Sequence, residues 1–209
     1  IGYVPRSVTS SRANISFFVD ITNLPINNET AENKPLKLIL QKGIVATTNS
    51  FGTGSASKSF TFAIPETITV PIVNNIAQFN SIEIIEGTYT SESFVVDSLV
   101  PNQKFILSNP NIDTSTLNVY VRDSEGSSVV RKFNLSNTIF DVDSTSRVFY
   151  IQEIEDQRYE LIFGDGIFGK KLDNGNVIEV SYNISSGEES NGALNFSFAG
   201  RILDDRDRL

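Results

Sequence analysis

Residues 158–182 read RYELIFGDGIFGKKLDNGNVIEVSY, and no other stretch of the chain is so tightly specified by its own letters. Tyr159, Leu161 and Phe163 alternate with Arg158, Glu160 and Ile162, and Ile178, Val180 and Tyr182 alternate with Val177, Glu179 and Ser181. That period of two marks half-buried strands. Between them stand Gly164-Asp165-Gly166 and Asp173-Asn174-Gly175-Asn176, rich in residues that reach positive φ at low cost, so each is expected to reverse the chain. The segment therefore reads as a hairpin that folds back twice. Its connection, residues 164–176, is longer than a tight hairpin needs and carries Ile167 and Phe168 ahead of Lys170 and Lys171. A lid, a clamp, a tab offered to a neighbour and a plain bulged hairpin all fit those letters.

Working outward, the same alternation recurs. Ile15, Phe17, Val19 and Ile21 share one face, as do Phe60, Phe62 and Ile64; residues 36–40, 68–73, 81–87, 88–96, 117–121, 129–135, 148–151 and 193–199 read as further strands. Pro71 places the 68–73 strand at a sheet edge. Residues 123–126 should turn 117–121 back on 129–135. Val100-Pro101-Asn102 is a break, and residues 49–58 have a Gly-Ser turn composition whose Gly-Thr-Gly lacks the lysine and following helix of a phosphate loop. No long stretch carries apolar residues at helical spacing. The expected fold is mainly β, an antiparallel sandwich or barrel-like domain with a second antiparallel β subdomain and little helix.

Composition narrows the chemistry. The 209 residues bury an ample core, built from Phe, Ile, Leu and Val, since 15 Phe stand against no Trp, Met or Cys. Without Cys or His there are no disulfides, no thiol chemistry, no imidazole base and no His/Cys zinc site. The formal net charge of −8 disfavours phosphate backbones, so no nucleic acid partner is expected. No apolar run is long enough to span a bilayer, and no membrane partner is expected. The chain opens at Ile1 and closes on Asp204-Asp205-Arg206-Asp207-Arg208-Leu209, which reads as a fragment ending in a solvated, frayed charge run.

Two carboxylate patterns invite a chemical reading and fail. Asp141, Asp143 and Thr145 have the spacing of a calcium loop, but Ser146 and Gln152 stand where glycine and glutamate are required. Asp165, Asp173 and Glu160 offer carboxylates of the kind a glycosidase pairs, with no spacing that demands it. No catalytic, cofactor or metal residue is assigned.

The block from Tyr159 to Leu172, followed by Asn174-Gly175-Asn176 and by Ile178 to Tyr182, resembles the characteristic block of the baseplate J-like family, and within it the wedge subunits of contractile-tailed, T-even-like bacteriophages. Gly2-Tyr3-Val4-Pro5-Arg6-Ser7, Gln41-Lys42-Gly43 and Ser190-Asn191-Gly192-Ala193 resemble further stations in the same order. The resemblance implies a structural protein of the virion tail baseplate, assembled in the host cytoplasm, without enzymatic activity or cofactor. Its implied partners are other wedge proteins and a second copy of itself. It also implies a β domain of residues 1–100 plus 186–209, with 101–185 inserted as a β subdomain that carries the Phe-Gly-Asp-Gly hairpin. Ile167, Phe168, Lys170 and Lys171 are the candidate interface, and Gly164, Asp165, Gly166, Gly169, Asn174 and Gly175 the turns that shape it. A carbohydrate-binding β domain of a phage tail or surface adhesin, with Phe168 against the sugar, is the alternative reading.

Overall fold

The computed structural model describes residues 7–28, 30, 34–48 and 58–208. Among the described residues fifteen strands follow in chain order: β1 (Arg12–Asp20), β2 (Lys37–Leu40), β3 (Gly43–Thr48), β4 (Thr61–Ile64), β5 (Ile68–Val73), β6 (Ile76–Glu86), β7 (Thr88–Val95), β8 (Phe105–Ile106), β9 (Ile112–Arg122), β10 (Val130–Leu135), β11 (Val148–Glu153), β12 (Tyr159–Phe163), β13 (Val177–Ile184), β14 (Phe196–Phe198) and β15 (Ile202–Asp204). Among the described residues helix is confined to short 3-10 turns. The chain forms two compact units, Ser10–Tyr89 with Glu188–Leu209 and Ile1–Thr9 with Thr90–Gly187.

In the first unit the sheet runs β14-β3-β4-β6-β5-β2-β15, with β1 against the other edge of β6. Burial along β1 alternates strictly, so Ile15, Phe17 and Val19 face the core while Arg12, Asn14, Ser16, Phe18 and Asp20 face out. Phe79 and Ile82 are both buried although three residues apart, which a regular strand forbids. A bulge on β6 reconciles them. The register with β1 shifts between Ile15↔Ile82 and Phe17↔Phe79, Ser81 takes φ of 51°, and its N–H donates to Ser16 Oγ at 2.9 Å. Phe79 then stacks on Phe17 at 4.8 Å between ring centroids, and burying such a ring is worth about 2 kcal/mol.

Two expectations for this unit change. Pro71 does not sit on an outer strand, because β5 lies between β2 and β6. Its ring is tolerated because β6 engages only Ile72 and Val73, and the neighbouring Ile72 N–H already donates across to Leu36 O at 2.9 Å. Successive amides point to opposite sides, so the amide proline lacks falls where no ladder bond is due. The charged terminus is not frayed either. Ile202–Asp204 pairs with β2, and Asp204, fully buried, accepts from the N–H groups of Arg206 at 2.9 Å and Arg208 at 2.7 Å and from Arg208 Nε at 2.7 Å. Burial opposes the charge of Asp204, yet the bonds from Arg208 and Arg206 outweigh it and hold the carboxyl below the usual carboxylate range.

In the second unit the order is β7-β13-β9-β10-β11-β12-β8. The hairpin β9–β10 forms as expected, Arg122 opposite Val130, and β11–β12 is a second, Phe149 opposite Phe163. The sheet is nevertheless mixed, since β10 and β11 run parallel over Asn134↔Val148 and Leu135↔Phe149. Phe163 holds the core together, edge-on to Phe105 at 5.8 Å and to Phe133 at 5.7 Å. The Val100-Pro101-Asn102 break is a turn inside this unit.

The expected hairpin of residues 158–182 is corrected. The edges of β12 are taken by β11 and β8, and those of β13 by β9 and β7, so the two strands never pair. Alternation decides which face a side chain takes but not which strand lies beside it, and the connection 164–176 is a crossover between separated strands.

Candidate functional site

The crossover is built as two stapled turns. In the first, Asp165 Oδ1 accepts from the N–H groups of Ile167 and Phe168, each at 2.8 Å, and Gly166 N–H donates to Gly169 O at 3.0 Å. These bonds to the ionised carboxylate, first Phe168 and then Ile167, hold Asp165 below its ordinary range. Gly166 and Gly169 take φ of 93° and 99°, a region β-carbons disfavour. Gly164 has a different reason to be glycine: a Cβ there would lie 2.1 Å from the carbonyl carbon of Gly169. The two ends of the loop are in backbone contact.

The turn 143–146 anchors its base. Gly169 N–H donates to Asp143 O at 3.0 Å and Lys170 N–H to Ser146 O at 2.8 Å. Asp143 Oδ1 accepts in turn from the hydroxyl and N–H of Thr145 and from those of Ser146, between 2.8 and 2.9 Å. With the Thr145 hydroxyl as the largest cause, its carboxyl is lowered to about 2. Asp143 and Thr145, two of the residues in the calcium-loop pattern, thus belong to a hydrogen-bonded cap, and among the described residues no group of three metal-ligating side chains occurs.

The second turn is stapled as firmly. Asp173 N–H donates to Asn176 Oδ1 at 3.0 Å and Asn176 N–H to Asp173 O at 3.1 Å, while buried Asn176 gives its Nδ2 to Asp123 O at 3.1 Å. Gly175, at φ of 82°, donates to Val96 O at 2.8 Å, and Asn174 Oδ1 accepts from Ser98 N–H at 2.9 Å. Asn174 and Gly175 therefore tie the crossover to the exit of β7.

What this scaffold presents is apolar. Ile167 is 68% exposed and Phe168 46%, with Lys171 exposed and Lys170 half-buried behind them. The neighbouring loop, docked through Asp143 and Ser146, adds Ile139 at 52% and Phe140 at 78%. Neither was among the candidate interface residues read from the sequence, although Ile139, Phe140 and Val142 stand out as the apolar residues of the otherwise polar run 137–146. Of the carboxylates considered for hydrolysis, Glu160 pairs with Lys104 at 3.1 Å and Asp165 caps its own loop. The buried Tyr182 hydroxyl donates to Glu92 and accepts from Asn109 Nδ2 at 2.8 Å, and burial raises its pKa. That network joins β7, β13 and the turn after β8.

Residues 95–185 match the model for the third domain of bacteriophage baseplate wedge protein gp6. Baseplate wedge protein gp6 of Enterobacteria phage T4 is 26% identical over 139 residues, an alignment covering 59% of this chain and 20% of that protein. The chain thus matches about a fifth of the relative's length.

Proposed function

We propose that the chain, which resembles bacteriophage baseplate wedge protein gp6, is a structural part of a virion tail baseplate that works by protein–protein assembly. The observation that carries this reading is the exposure of Ile167 and Phe168 on a loop whose backbone is held at both ends. A rigid apolar tip loses little conformational freedom on docking, which suits an interface that must persist. Lys170 and Lys171 form its polar rim, and Ile139 and Phe140 extend it. The partners are other wedge proteins and a second copy of the chain, with assembly in the host cytoplasm before the particle is complete. No catalytic role is assigned. The segment expected as an insertion at 101–185 is taken as such a domain, supported by the family match at 95–185 and by the compact unit containing Thr90–Gly187.

The test uses the full-length protein with its neighbouring wedge proteins. Replacing Phe168 and Phe140 by serine, and Lys170 by glutamate, is expected to remove the chain from wedge complexes isolated by gradient centrifugation while leaving it folded. Undiminished incorporation of the triple variant rejects this surface as the contact.

A further inference from the structure

The turn that follows β7 is a second exposed apolar tip of the second unit, and its surroundings are acidic. Leu99 is 87% exposed, the largest value among the described large apolar residues, and Val100 beside it is exposed as well. On a loose loop this would say little, since single apolar residues on a surface are ordinary. Here the backbone is held. Asp97 Oδ1 accepts from Leu99 N–H at 2.9 Å, and Val100 N–H donates to Asp97 O at 3.1 Å. Gln103 closes the turn from behind, its Oε1 accepting from Asp97 N–H at 2.9 Å and its Nε2 donating to Val95 O at 2.8 Å. The bonds of Ser98 to Asn174 and of Asn176 to Asp123 join this turn to the second turn of the crossover and to the β9–β10 turn. Three turns thus form one stapled body, and it holds two apolar side chains in water, where they gain nothing until a partner covers them.

The charges on these turns are one-sided. Asp97, Glu125 and Asp173 are exposed and in no ion pair among the described residues, whereas the guanidiniums nearby are already engaged, Arg131 by Asp123 and Arg122 by Glu179 at 3.0 Å. We propose that Leu99 and Val100 seat in an apolar socket, rimmed by lysine or arginine, on a wedge protein other than this chain. Charge complementarity selects that occupant: Asp97, Glu125 and Asp173 repel phosphate-bearing ligands and attract a cationic rim. A second copy brings the same formal net charge of −8 and is disfavoured for the same reason. A tip ordered before docking loses little conformational freedom on burial, and its two side chains supply the apolar centre that an interface needs inside a polar rim. This surface rests on the assembly reading above and adds to it a contact separate from Phe168.

The test takes the full-length protein and each purified neighbouring wedge protein in turn, with binding measured at low and high salt. One of them is expected to bind, less tightly as salt rises. Replacing Leu99 and Val100 together by serine should weaken that binding at least about tenfold, and Leu99→Met should retain it, which separates a lost contact from a lost fold. Glu125→Lys with Asp173→Lys should weaken it about tenfold at low salt and flatten its salt dependence. If none of the wedge proteins binds the parent, the proposal is overturned. It is also overturned by binding that ignores the serine pair, or that responds to the serine pair but not to the charge reversals. A serine pair that abolishes only self-association assigns the tip to a second copy and overturns it as well. Full binding by the serine pair, together with loss of wedge entry by the variant at Phe168, Phe140 and Lys170, rejects this surface and leaves the first one standing.

Discussion

Two turns in this molecule use the same device, an aspartate that gathers backbone amides, and put it to opposite ends. At 165–169 the carboxylate of Asp165 is exposed, the close approach of Gly164 and Gly169 sets the shape, and the apolar side chains point to solvent. At 204–208 the carboxylate is buried, charged neighbours surround it, and the chain end is locked against the sheet. The contrast shows where rigidity comes from. In the first turn it is steric and survives exposure, so the tip is free to present Ile167 and Phe168. In the second it is electrostatic and depends on burial, since an exposed ion pair is worth little whereas one whose carboxylate is desolvated cannot lose its partner cheaply.

The sharpest way to break the comparison is at Gly164. A Gly164→Ala substitution places a β-carbon 2.1 Å from backbone that cannot retreat, and a loss of about 3 kcal/mol is expected in urea unfolding of the unit that holds it. Asp204→Ala strips three bonds from a buried site and should cost about 2 kcal/mol. Its contribution has a definite pH dependence. The folded-state pKa lies below that of an ordinary aspartate, so the stabilisation is complete above the ordinary value and is lost as pH falls through the lower folded one. Asp204→Asn should flatten that acid limb, and an unchanged limb would contradict the assignment. Asp165→Ala should give a smaller effect of the same sign, read as faster hydrogen exchange at the Ile167 and Phe168 amides, and it should fade below the carboxylate range for the same reason. Smallest of all for stability is Phe168→Ser, expected to leave unfolding nearly unchanged. A large loss there would mean that the ring supports the fold and is not held out for a partner.

Much of this was legible in the letters, for a local reason. Strand alternation at Ile15 to Ile21, Phe60 to Ile64 and Leu117 to Val121 follows from side chains facing opposite sides of a pleat. The demand for glycine at 166, 169 and 175 follows from the φ each residue must take. Hairpins such as β9–β10 are short-range, so the turn between them sets the register. Those properties belong to a few consecutive residues, and a sequence states them directly.

The tertiary structure alone decided which strands lie side by side. Residues 158–182 supply two strands and two turns on either reading, but only the packed sheet separates β12 from β13 by three other strands and makes their connection a crossover. The β6 bulge that keeps Phe79 and Ile82 on one face belongs to the same class, as does the burial of Asp204 in a tail that reads as solvated. Each depends on contacts between residues far apart in the chain. Alternation is indifferent to the identity of a neighbour, and a carboxylate takes its worth from what surrounds it.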